Sequence, residues 1–237
     1  MERNNSKPII IEFNGLPGTG KSTILEELNK RAQSEGWSMC RDYNRNMRLA
    51  PYSSLFKLRS YSYMPSLLRL GRTSEITKAR VGQVLRCLNF INSYIDFQKY
   101  APESLIYVLD EGIIQSLVSI AYLESFKGKE KILQNIFTRL VEHNVRWYSV
   151  DCINEPEVSY ERVINRVSNM GRMDQMKKAE LINALRFQVE SFDIVRNEAR
   201  RSGVLQSSIE IDTKKTPKEN VKIIMAWINN NSNNKKY

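Results

Sequence analysis

The sequence predicts an α/β fold, a parallel sheet flanked by helices, and three observations carry that expectation. Residues 8–32 pass from a β-branched apolar segment through a glycine loop into a helix-patterned stretch. Strand-like and helix-like segments then alternate to the end of the chain, and repeated βα units with such crossovers build parallel sheets. The length, 237 residues, suits one domain of this kind with a sizeable core. A single domain over 1–237 is therefore expected, with 1–7 and the Asn/Lys-rich 229–237 as flexible ends.

The first strand is Pro8-Ile9-Ile10-Ile11-Glu12-Phe13-Asn14, and Ile24, Leu25, Leu28 and Ala32 recur behind it at helical spacing. Between them Gly15 to Thr23 fits G-x-x-x-x-G-K-[ST], with Gly15, Gly20, Lys21 and Ser22 at the fixed positions. Such a loop turns backbone N–H groups onto a polyphosphate, because glycine takes left-handed conformations and allows close approach. The helix N-terminus behind it adds partial positive charge. Lys21 is the residue for the β- and γ-phosphates and Ser22 the one for Mg²⁺; Pro17, Gly18, Thr19 and Thr23 complete the cradle.

Residues 36–42 read as a short second strand, leaving Arg41, Asp42 and Arg45 at its carboxyl end, where ligands bind in open parallel sheets. These three are acceptor-site candidates. From Asn46 to Leu70 aromatics and methionines cluster between prolines, either as a cover over an acceptor or as a satellite apolar cluster. A long helix over 75–100 presents Val84, Leu88, Ile91 and Ile95 as one stripe, with Arg86, Asn89, Ser93 and Asp96 opposite. Arg80 lies on the margin of the stripe, placed for a substrate anion or an internal carboxylate.

The second stretch with chemistry is Ser104-Leu105-Ile106-Tyr107-Val108-Leu109-Asp110-Glu111-Gly112. A buried strand ending in an acid supplies the carboxylate that a phosphate-bound Mg²⁺ needs, usually through its water shell. Asp110 takes that role, Glu111 could accept a proton from an attacking hydroxyl or water, and Gly112 leaves room beside the phosphates. Helices follow over 114–126 and 129–142, then a strand over 145–151. Asn154 and Glu157 read as a capping box for the next helix. Its apolar Tyr160, Val163 and Val167 face the body, the period then fails over Ser168–Asp174 where arginines gather, and a lid is expected over about 155–176. Arg166 and Arg172 flank this break as a closing lid would need, since a guanidinium stabilises charge on a phosphoryl group in flight. A helix over 175–201, a strand over 204–212 and a helix opening at Thr216-Pro217-Lys218-Glu219 finish the chain.

Composition excludes several classes. The chain has 36 basic and 26 acidic residues, a formal charge of +10, which serves a site gathering anionic nucleotides as readily as a nucleic-acid surface. No block of five Lys/Arg appears, so a nucleic-acid binder is not expected. Cys40, Cys87 and Cys152 lack disulfide or metal spacing. No run of 18 apolar residues and no apolar signal region behind Met1–Lys7 are present, so a soluble, cytoplasmic protein without membrane partners is expected.

With these pieces placed, the chain resembles the thymidylate-kinase-like and deoxynucleoside-kinase-like branch of the phosphate-loop kinases. The resemblance rests on Phe13 to Thr23, and more weakly on Leu109 to Gly112, on Arg162, Arg166, Arg172 and Asp174, and on the closing strand Ile209–Asp212. It implies a three-layer phosphate-loop sandwich with five parallel strands in the order 2-3-1-4-5. It also implies ATP with Mg²⁺ as donor, an arginine lid, and an adenine held near the loop of Asp212 and Lys214. A homodimer is compatible with it. One departure matters: these kinases carry an arginine after the third-strand acid, and this chain has Glu111. A carboxylate there repels a phosphate acceptor and suits deprotonation of a hydroxyl.

The leading expectation is an ATP-dependent phosphotransferase acting on a small molecule, a nucleoside or nucleotide first. Lys21, Asp110, Arg166 and Arg172 would stabilise charge, and Glu111 or Asp42 would be the base. A sugar or other hydroxyl acceptor, an ATPase switch, and a nucleic-acid end kinase are the alternatives.

Overall fold

Apolar residues in the strand segments alternate between two layers of helices, and that alternation fixes the architecture. A computed structural model of the protein describes residues 8–40, 62–70, 78–102, 105–121, 126–165 and 176–233. In chain order these hold β1 (Ile9–Gly15), α1 (Lys21–Ser34), β2 (Met39–Cys40), α2 (Met64–Leu70) and α3 (Lys78–Tyr100). Then come β3 (Ile106–Leu109), α4 (Ile113–Ile120), α5 (Glu130–Glu142), β4 (Trp147–Ile153) and α6 (Pro156–Ile164). The chain closes with α7 (Lys178–Arg201), β5 (Leu205–Asp212) and α8 (Pro217–Asn233).

The sheet order is β2-β3-β1-β4-β5, with every neighbouring pair parallel. One face carries Ile11, Phe13, Val108, Val150 and Ile211, packed on α1 and α8. The other carries Ile10, Tyr107, Leu109, Trp147 and Leu205 beneath α3, α4, α5 and α7. Trp147 is fully buried, with Tyr94 edge-on at 5.6 Å and Phe137 tilted at 6.2 Å. Ile24, Leu25 and Leu28 seat α1 on the sheet, each burial worth roughly 1.5–3 kcal/mol. That seating holds the glycine loop at the carboxyl edge of the central strand.

Several elements depart from the sequence reading. β4 runs two residues later than 145–151, because Asn144 takes a left-handed turn (φ 57°) and the Val145 N–H closes onto the Leu140 carbonyl at 2.9 Å. Its far end is kept extended by pairing Ile153 with Asp212 of β5. On α3 the stripe Val84, Leu88, Ile91 and Ile95 is buried as expected. Ser93 on the supposed polar face is buried too, its hydroxyl donating to the Asn89 carbonyl at 2.7 Å. The expected box at Asn154 does not form: Glu155 is the N-cap, and Glu157 is drawn away to Arg186 at 2.8 Å. The box at Thr216 does form, with reciprocal bonds between Thr216 and Glu219. Residues 229–233, expected in a flexible tail, continue α8, where Asn231 Nδ2 donates to the Trp227 carbonyl at 2.9 Å. Among the described residues no helix is long and apolar enough to cross a membrane.

Candidate functional site

The glycine loop is built as its residue types require. Gly15 has φ 142°, and a Cβ there would stand 2.4 Å from the Cys152 carbonyl oxygen of β4, so only glycine passes. Gly18 and Gly20 are left-handed at φ 81° and 83°, a conformation costly for other residues. Thr19 is buried, and its hydroxyl donates to the Leu16 carbonyl at 2.8 Å. It closes the loop instead of facing a ligand. Lys21 Nζ folds over the loop, donating to the Gly15 and Leu16 carbonyls at 2.7 and 2.9 Å.

The N-terminus of α1 fits an anion. Its cap is Gly20, without a side-chain cap, and its first turn holds no acidic residue. The leading N–H groups of a helix have no intrahelical partner, and an anion at the start of α1 is the acceptor that such groups suit. Ser22 and Thr23 are exposed. These are the features that a bound phosphate uses.

Asp110 and Glu111 stand beside this loop because β1 and β3 are neighbours. Leu109 ends β3 opposite Glu12, so Asp110 leaves the sheet alongside Phe13, two residues before Gly15. Glu111 forms an ion pair with Arg86 of α3, and the Arg86 guanidinium lies 5.8 Å from the Phe90 ring centroid. The helical pattern alone puts Arg86 on a solvated face. No local pattern singles it out, since only the crossing of α3 over the end of β3 brings the two together.

Gly112 is expected to leave room for phosphates, and the structure fills that room differently. A Cβ on Gly112 would lie 2.3 Å from the Tyr94 hydroxyl and 2.4 Å from Glu12 Cδ. Glu12, hidden within the apolar run of β1, is fully buried. Its carboxyl accepts the N–H groups of Ile114 (2.7 Å) and Gln115 (3.3 Å) and the Tyr94 hydroxyl (3.0 Å). Burial pushes this carboxyl up from 4.5 to about 7, while the bonds from Tyr94 and the start of α4 pull the other way.

On the other side of the loop, Arg162 of α6 donates to the Gly18 carbonyl at 3.3 Å. By its pattern Arg162 suits solvent as readily as function. The structure brings this arginine onto the glycine loop. Asp212 accepts the Lys214 N–H at 2.8 Å, closing its own turn. Lys214 Nζ reaches Glu155 at 3.4 Å, and Thr213 donates to the Ile153 carbonyl at 3.2 Å. The loop after β5 is thereby tied to the start of α6. Behind the phosphate loop a chain of bonds runs from Asn14 to Ser149 (2.9 Å) and from Ser149 to Asp151 (2.6 Å). It ends on Arg196 of α7, 2.7 Å from Asp151. Asn14, Asp151 and Arg196 line a cleft of about 270 Å³ with Leu16, Val189 and Phe192.

Arg41, Asp42, Arg45, Arg166 and Arg172 lie outside the described residues, as does the side chain of Arg80, whose backbone belongs to α3. Among the described residues no three His, Cys, Asp or Glu side chains gather as a metal cluster.

No protein-family model matches the chain, and no curated protein sequence does. Solved structures similar to it include deoxyadenosine kinase from M. mycoides, with dCMP and a flexible dCDP bound. That match has 10% identity and a TM-score of 0.48, over 94% of this chain and 100% of that one. Shikimate kinase from Acinetobacter baumannii in complex with shikimate matches at 15% identity and a TM-score of 0.48, over 95% and 96% of the two chains.

Proposed function

We propose that this protein is an ATP-dependent phosphotransferase that moves the γ-phosphoryl group of ATP to a hydroxyl of a small molecule, a nucleoside or nucleotide in the first place. The observation that carries the reading is the uncapped, acid-free N-terminus of α1 behind a left-handed glycine loop, with Asp110 and Glu111 at the adjacent strand end.

The backbone N–H groups from Gly18 to Thr23 bind the β-phosphate, and Lys21 exchanges its loop carbonyls for phosphate oxygens. Ser22 and Asp110 are the residues that would hold Mg²⁺, which when bound would supply charge neutralisation at the phosphates. Glu111 takes the proton of the acceptor hydroxyl. Its pairing with Arg86 offsets part of the negative charge at the acceptor end, so a hydroxyl on either a neutral or a phosphate-bearing acceptor fits there. Arg162, followed by Arg166 and Arg172 of the lid, supplies guanidinium donors to the phosphates. Adenine rests between the lid and the loop of Asp212 and Lys214. The chain acts as one domain, over 1–237.

Isothermal titration with ATP and Mg²⁺ tests the nucleotide site. Wild type is expected to bind, and Lys21→Ala to bind about tenfold or more weakly, the loss of a charged hydrogen bond or two, with its melting temperature kept. Equal affinity in the variant removes Lys21 from the site and the reading with it.

A further inference from the structure

Glu12 is the one fully buried carboxylate of β1, and packing does not call for it. An aliphatic side chain would fill the position without desolvating a charge, whereas a buried carboxylate costs several kcal/mol unless it is hydrogen-bonded. What the carboxylate supplies is connection. The N-cap of α4 is Gly112, which has no side chain to cap the helix. Glu12 caps it instead from a neighbouring strand, accepting the N–H groups of Ile114 and Gln115. The residue next to Glu111 is then pressed so closely on Glu12 and Tyr94 that no Cβ fits.

Two residues of helix α3 reach this region: Tyr94 donates to Glu12, and Arg86 pairs with Glu111 of the turn. Three residues beyond Glu12 the strand becomes Gly15 of the phosphate loop, a rigid span of about 10 Å at the rise of an extended strand. One strand therefore carries the loop at its end and the anchor of the acidic turn at its middle.

We propose that Glu12 is a positioning residue for the acidic turn: its carboxyl bridges β1, α3 and the first turn of α4, and so sets where Asp110 and Glu111 stand relative to the phosphate loop. The functional part rests on the phosphotransferase reading; the structural part does not. Glu12→Leu fills the same space without acceptors. Its amides at Ile113–Gln115 are expected to exchange hydrogen about tenfold or more faster than in wild type, with the loop of residues 15–23 unchanged. In turnover, kcat is expected to fall about tenfold or more while the KM for ATP stays within about threefold. Glu12→Gln keeps an amide oxygen for the same N–H groups, and is expected to restore kcat to within about threefold.

Unchanged exchange at Ile113–Gln115 in Glu12→Leu overturns the proposal. So does faster exchange across the whole sheet with kcat and ATP binding lost together, the pattern of plain destabilisation. Should Glu12→Leu not fold, Tyr94→Phe removes one of the partners at nearly constant volume. It is expected to speed exchange at the same amides, and exchange equal to wild type contradicts the bridge. A wild type that turns over no acceptor defeats the phosphotransferase reading, while the exchange experiment still decides the role of Glu12.

Discussion

Glu12 carries a role that its own stretch of sequence does not display. In Ile9-Ile10-Ile11-Glu12-Phe13 the apolar neighbours mark a buried strand, and periodicity gives no sign that the acid has partners far along the chain in Tyr94 and Ile114. Its raised proton affinity has a thermodynamic consequence. The folded state holds the proton up to about pH 7, the unfolded chain only to about 4.5. The stability Glu12 contributes is thus full below about 4.5 and is lost as pH rises through about 7, a change of about 3 kcal/mol. Glu12→Gln cannot titrate. Denaturant unfolding of the two proteins from pH 4.5 to 8 is expected to show wild type losing about 3 kcal/mol relative to the variant; a constant difference across that range contradicts the buried carboxyl. Gly15 and Lys21, by contrast, are readable at once, because their roles depend on residue type within nine consecutive positions.

At the scale of elements, the strands and helices with strong periodicity are readable, and their pairings are not. The stripe of α3 and the apolar face of α1 follow from spacing alone. The contacts of Arg86 with Glu111, of Arg162 with Gly18 and of Asp151 with Arg196 depend on which strand neighbours which, and on where a helix crosses. In the sequence Asp151 is only the last residue of a strand. In the structure it is 3% exposed in its side chain, 2.7 Å from an Arg196 that is 16% exposed, and it accepts from Ser149. The pair pins α7 to β4, the strand beside the one that carries the glycine loop. Removing Asp151 takes away the buried partner of Arg196 and leaves it only the exposed Asp193, so Asp151→Ala is expected to cost about 2 kcal/mol in denaturant unfolding, between an exposed and a fully buried pair. A loss below about 1 kcal/mol, the size of an exposed pair, would show that Arg196 escapes to solvent.

Over the whole molecule, the central strand β1 lies between β3 and β4, which gathers at one sheet edge the loop from β1, the acids from β3 and the arginine-bearing helix after β4. A chain carrying +10 concentrates anions, and the acid-free N-terminus of α1 gives them a specific seat. The donor half of the proposed site is legible because a glycine loop of this pattern is a local motif. The proposed acceptor half is not, since it would be assembled from segments far apart in sequence and would turn on Glu111, whose partner Arg86 only the fold reveals. The most direct test of phosphoryl transfer is phosphorus NMR of the products formed from ATP and Mg²⁺ with a panel of nucleosides, nucleoside monophosphates and sugars. A new phosphate ester on a hydroxyl acceptor, formed together with ADP and absent with Lys21→Ala, is the predicted result. Inorganic phosphate alone, at a rate no acceptor changes, would contradict it.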